Sequence, residues 1–230
     1  MRHLIETFLD SIGNRFPMKE LPAGEFSEAK VSIMRFRIRH WDAGLLGNVS
    51  YMCTDGLMKM ESLIINPTRI DMPLLSMDTI LAMGRLSVYA EIYDTTVNGF
   101  DQKGCQAAKD SLSGYSEVQA KPHWYDGIKL PCSMAKKVRT TDSESMGKGL
   151  ERFLEAYVSS AVTASEITDP TVLAEKTKRC NAYVDGLLAN GGPSTDVFLK
   201  KYGKERTAQL YHDVLFGKAY CGVHRRPDMI

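Results

Sequence analysis

One carboxylate, Asp78, stands among Leu74, Leu75, Met77, Ile80 and Leu81 in a run with the character of a β-strand. Side chains alternate along a strand, so Leu74, Ser76, Asp78, Ile80 and Ala82 share a side. Two readings of Asp78 are open. It is an acid at a strand end or bulge that accepts backbone N–H bonds, or it is a carboxylic acid whose pKa apolar surroundings raise, able to hold and deliver a proton near neutral pH. A second chemical signal lies upstream. Between Val31 and Trp41, Phe36, Ile38 and His40 alternate with Arg35, Arg37, Arg39 and Trp41, which puts three guanidinium groups on one side of one strand. They form either a solvated outer face or a clamp for ligand carboxylates, with which planar guanidinium makes paired hydrogen bonds.

The elements that must position these groups follow from hydrophobic spacing. Leu4, Ile5, Phe8, Leu9 and Ile12 predict an amphipathic helix over residues 3–13. Val49–Cys53 and Met58–Ile65 predict a hairpin across Thr54-Asp55-Gly56, and Leu74–Ala82 and Leu86–Tyr93 predict two more strands. Their connections are too short for crossover helices, so the sheet should be antiparallel, with at least five strands. After Asp94, Gln102–Leu112 reads as helix, Tyr115–Pro131 as irregular and Met134–Val138 as a short strand. Three helical stripes follow, centred on Leu150–Ala161, Val172–Leu187 and Leu210–Leu215, with Ser143 and Asp169 as expected N-caps. The expectation is one domain over residues 1–230, an α+β, three-layer α/β/α sandwich whose central antiparallel sheet is flanked by helices. The loop Asn190-Gly191-Gly192-Pro193 can come close to the sheet, and a crevice between sheet and C-terminal helices suits a flat apolar ligand.

With 43% hydrophobic residues the chain can bury a sizeable core, and 29 Lys and Arg against 28 Asp and Glu give a net charge of +1. That balance argues against nucleic acid, so an acidic partner must meet a local patch. Five scattered cysteines without a C-x-x-C pair read as reduced thiols and no structural zinc, in a cytoplasm or, if the chain is a processed form, a plastid stroma. No run approaches the roughly 18 apolar residues of a membrane span, so no membrane partner is expected. G-x-G-x-x-G after a strand, G-x-x-x-x-G-K, G-x-S-x-G and H-E-x-x-H are all absent. Chemistry must then use carboxylates, or a substrate that handles its own electrons.

The chain resembles the ferredoxin-dependent bilin reductases. The likeness rests on Pro67 through Asp78, with Asp71-Met72-Pro73 and Met77-Asp78, and continues through Ile92-Tyr93-Asp94, Lys121-Pro122-His123-Trp124 to Pro131-Cys132, Leu150–Tyr157, and Phe198–Gly203 to Leu215-Phe216. The resemblance implies an α/β/α sandwich that binds neither metal nor flavin. Such a protein takes single electrons from ferredoxin and protonates a bound linear tetrapyrrole, biliverdin or dihydrobiliverdin, acting as a monomer. Asp78 would be the central proton donor. Where family members carry His or Asn, this chain has Glu61 or Ser62; their faces differ, so only one can point at the ligand, Glu61 as a second acid or Ser62 as a contact. Ser76 and Asn190 are further candidates for ligand contact, and Arg35, Arg37 and Arg39 for the propionates. Gly192 stands where many members have an acid. Lys136-Lys137-Val138-Arg139 and Lys200-Lys201 with Lys204 and Arg206 are candidate rims for acidic ferredoxin. The alternatives are a tetrapyrrole carrier on the same fold and a reductase of an opened chlorophyll-type tetrapyrrole.

Overall fold

Alternating apolar residues with tight turns between them leave neighbouring strands no choice but to pair as hairpins. The computed structural model describes residues 4–55, 58–118, 122–192 and 194–217; His3, Gly56, Lys121, Pro193 and Cys221 lie outside the described residues. The strands are β1 (Lys19–Leu21), β2 (Glu28–Val31), β3 (Met34–Asp42), β4 (Asn48–Asp55), β5 (Lys59–Asn66), β6 (Leu74–Ala82), β7 (Arg85–Tyr93), β8 (Ser116–Glu117) and β9 (Met134–Arg139). They form one antiparallel sheet in the order β1-β3-β4-β5-β6-β7-β9-β8, with β2 also paired to β3. The helices are α1 (Phe8–Gly13), α2 (Lys103–Asp110), α3 (Ser143–Thr163), α4 (Pro170–Asn190) and α5 (Thr195–Gln209).

Helices cover both faces, as expected. On one face Leu63, Ile65, Met77, Val88, Ala90 and Ile92 pack with the α3 stripe of Leu150, Phe153, Leu154, Tyr157 and Val158, and with α1 and α2. On the other, Phe36, Ile38, Met52, Ile64, Leu74 and Tyr93 meet Tyr183, Val184 and Leu187 of α4, Phe198 of α5 and the segment Leu210–Phe216. Burial of these stripes, rather than helix propensity, holds the layers together.

Three local expectations need correction. The N-terminal helix begins only at Phe8; Leu4–Thr7 form turns before it, and the N–H groups of Leu4, Ile5 and Glu6 donate to the Glu61 carboxylate at 2.7, 3.1 and 3.2 Å. Ser143 does not cap α3; Asp142 precedes the helix and the Ser143 hydroxyl donates to Thr140 O. Leu210–Leu215 is a π-helical turn continuing α5. Its last carbonyls are held by the sheet: Asn48 Nδ2 donates to Val214 O and Leu215 O, Ser50 Oγ to Leu215 O, and Asn66 Nδ2 to Phe216 O at 2.6 Å. Gly217, at φ +70°, lies so close to Asn48 that a Cβ there would collide with its side chain. Asp169 does cap α4, accepting from Thr171 N at 2.7 Å ahead of Pro170.

Candidate functional site

Paired residues in an antiparallel ladder point to the same side, so register fixes which groups can meet. Asp78 on β6 lies opposite Ser62 on β5 and Tyr89 on β7, and Ser62 lies opposite Met52, which lies opposite Ile38. Asp78 therefore belongs to the face covered by α4 and α5. That cover is incomplete. On the α3 face of β6 and β7, Leu75, Met77, Thr79, Val88, Ala90 and Ile92 are all buried. On the Asp78 face, Ser76, Asp78, Ile80, Ala82, Ser87, Tyr89 and Glu91 are only half-buried, as is Met60 on β5. An open strip of sheet runs through Asp78.

Within the strip the Ser76 hydroxyl donates to Asp78 Oδ2 at 3.0 Å, and the Ser62 hydroxyl also bonds the carboxylate. Burial raises the Asp78 pKa from 3.8 to about 6; the two serine bonds oppose the rise, and the nearby Glu91 charge adds to it. A carboxyl held there keeps part of its population protonated close to neutral pH, which suits a group that gives up a proton and regains it. Glu91 accepts from Tyr93 Oη at 2.6 Å and from Lys129 Nζ at 3.2 Å; Lys129 also pairs with Asp126 at 2.9 Å.

Aromatic rings close one end of the strip. Tyr93 and Tyr183 have centroids 4.5 Å apart, Tyr93 and Tyr125 5.4 Å, and Trp124 and Tyr183 5.8 Å. Trp124 lies on Gly186, where a Cβ would collide with the indole, and its Nε1–H donates to Gly191 O at 3.1 Å. Burial pushes the phenols of Tyr89, Tyr125, Tyr183 and Tyr211 up, and negative charge on Asp78 adds to the rise in each. They stay protonated and can donate hydrogen bonds. Such a surface accepts a flat, conjugated molecule with polar edges, and can protonate it at one point.

Of the residues singled out in the sequence, Ser62 and Ser76 join Asp78. Glu61 does not. It points to the opposite face, where Tyr51 Oη and Thr79 Oγ1 also donate to it, so its carboxylate anchors the N-terminal segment to the sheet. Arg35, Arg37 and Arg39 face that same side, in register with Asp55, Cys53 and Tyr51. Arg37 pairs with Asp55, and Arg39 with Glu20 while stacking over Trp41. The three arginines cannot clamp a ligand beside Asp78. Asn190 is exposed at the end of α4, donating to Gly186 O. A Cβ at Gly192 would meet the tip of the Leu187 side chain at 2.7 Å and Thr195 Oγ1 at 3.1 Å, so a side chain there requires Leu187 to shift. Sequence reasoning missed Glu91, Tyr89, Lys129, Tyr125 and Tyr183. The signal for the first two was the polar alternation Ser87, Tyr89, Glu91 on a central strand.

A separate cavity of about 730 Å³, lined by Glu6, Asp10, Met18, Arg39 and Trp41 among others, lies on the opposite face and does not reach Asp78. Among the described residues no three His, Cys, Asp or Glu side chains come together as a metal-ligand set, and no helix is long and apolar enough to cross a membrane.

No protein-family model matches the chain, and no curated protein does. Among solved structures, that of a phytochromobilin synthase from tomato in complex with biliverdin matches with a TM-score of 0.77 at 12% sequence identity, over 96% of this chain and 84% of that one. The two chains share a fold, the α+β sandwich described above.

Proposed function

We propose that the protein is a single-domain, monomeric reductase of a linear tetrapyrrole, biliverdin or dihydrobiliverdin, converting it to a phycobilin. The observation that carries this reading is Asp78: a carboxyl group with its pKa raised to about 6, central in an open strip of sheet, in a fold shared with a biliverdin-bound protein. Each double bond reduced takes two electrons and two protons. In this reading reduced ferredoxin supplies the electrons singly, with no resident metal or flavin. An electron entering the conjugated system raises its basicity, and the Asp78 carboxyl protonates the reduced ring; the resulting carboxylate regains its proton from water at the strip. The second proton comes from solvent. Ser62 and Ser76 orient Asp78, and the surrounding phenols offer hydrogen bonds to the lactam and pyrrole edges.

Mixing the purified protein with biliverdin and recording the visible spectrum tests binding, and adding reduced ferredoxin without oxygen tests turnover. The expected result is loss of the biliverdin band with growth of a blue-shifted product. A spectrum unchanged for hours, while a known bilin reductase consumes the pigment, overturns the reading; binding without turnover identifies a carrier.

A further inference from the structure

Two hairpin turns, β2–β3 and β6–β7, lie at one end of the sheet, because Val31 pairs with Met34 and Ala82 with Arg85, and β5 enters the sheet between them at Lys59. Each of these turns presents a large apolar side chain to solvent, Ile33 at 85% exposed and Met83 at 101%, and Met58, just before β5, is 37% exposed. With strands about 4.8 Å apart, the row spans about 20 Å. Met83 and Gly84 have φ of +50° and +71°, the two-residue hairpin conformation that favours Asn-Gly. A methionine there carries a backbone cost and, fully exposed, gains no packing within the chain. Such an outlier points to a use outside it.

Behind the tips the sheet end is cationic. Lys30 lies opposite Arg35, which is also opposite Asp55; Lys59 lies opposite Leu81, and Arg85 opposite Arg139. All five cations are exposed, and among the described residues none of them is ion-paired. Among the described residues the acids near these cations are the exposed Glu28, opposite Arg37, Asp55, held by Arg37 at 2.8 Å, and the half-buried Asp142 beyond Arg139. The open strip also reaches this end: from Asp78 it continues through Ile80 and Ala82 on β6, Met60 on β5 and Ser87 on β7.

We propose that this end of the sheet docks reversibly on an anionic lipid bilayer, with Ile33, Met58 and Met83 below the headgroups and Lys30, Arg35, Lys59, Arg85 and Arg139 at the phosphate level. Apolar tips standing beyond a row of unpaired cations are the amphipathic arrangement such a surface takes. Protruding, unsupported tips fit a fluid interface better than the flatter face of a protein. Docking in this orientation places the mouth of the strip at the headgroups, where an amphiphilic ligand would enter. Vesicle binding does not depend on the tetrapyrrole reading, so the two fail separately.

Co-sedimentation with phosphatidylcholine–phosphatidylserine vesicles, and with phosphatidylcholine alone, tests the inference. The protein should pellet with the anionic vesicles only, and less as salt rises. The double variant Ile33→Asp, Met83→Asp should bind at least about tenfold more weakly, having lost two inserted apolar side chains. Arg85→Gln should weaken binding about fivefold, the effect of one basic residue near an anionic leaflet. Thermal melts confirm that both variants fold, since every altered side chain is exposed. Absence of pelleting, equal pelleting with neutral vesicles, or full binding by the double variant overturns the proposal. So does a protein that ignores vesicles but binds an acidic [2Fe–2S] ferredoxin through the same tips, which would assign the surface to a protein partner.

Discussion

Replacing Asp78 by Asn should make the protein more stable at alkaline pH while stopping its chemistry. The folded state binds the Asp78 proton more tightly than the unfolded chain does, with a pKa of about 6 against 3.8. Stability associated with this group is therefore fully present below about pH 3.8, falls as pH rises through the interval to about 6, and is level above it. This sign is opposite to that of a salt-bridged aspartate. The full effect would be about 3 kcal/mol. Because Asp78 is half-buried and open to solvent along the strip, screening reduces it to about 1–2 kcal/mol. The asparagine amide mimics the neutral acid in shape and can still accept a bond from Ser62 or Ser76. Urea midpoints for both proteins at pH 4 and pH 8, with equal slopes, report the difference directly. The variant should match the parent at pH 4, exceed it by about 1–2 kcal/mol at pH 8, bind biliverdin, and fail to reduce it. A pH-independent difference would refute the assignment of a raised pKa, and full turnover would remove Asp78 from the reaction.

Ser76→Ala removes a hydrogen bond that lowers the Asp78 pKa and Glu91→Gln removes a charge that raises it, so the carboxyl titration followed by infrared difference spectroscopy should move up in the first and down in the second. Glu61→Ala strips the carboxylate from the N–H groups of Leu4, Ile5 and Glu6 and from Tyr51; it should cost about 2–4 kcal/mol in denaturant unfolding and leave biliverdin affinity unchanged. Joint replacement of Arg35, Arg37 and Arg39 by Ala should shift that affinity less than about twofold, since no contact with the ligand is lost; a large loss in a spectral titration would bring the clamp back. Tyr157→Phe deletes a 2.6 Å bond to Pro73 O and should lower stability by about 1 kcal/mol.

The architecture was legible where local chemistry dictates it. Period-two runs with short connections gave the antiparallel strands, the stripe from Leu150 to Ala161 gave α3, and Asp169-Pro170 marked the start of α4 to the residue. The face occupied by each strand was not legible, because alternation says which residues on one strand go together and nothing about which set of the next strand joins them. Glu61 and Ser62 are adjacent, and only the pairing of Ser62 with Asp78 decides that Ser62 belongs to the strip while Glu61 holds the N-terminus. The same parity, carried across β4, turned three arginines away from the site.

Asp78 itself was determined by the sequence: a lone acid in an apolar strand must either find bonds or hold its proton, and composition gave no charge nearby to neutralise it. Tertiary structure decided how far the acid is held. Its pKa depends first on burial under the packed layers, then on the two serine hydroxyls and on Glu91. Those groups come from distant parts of the chain, and distances between them are set only when the layers pack.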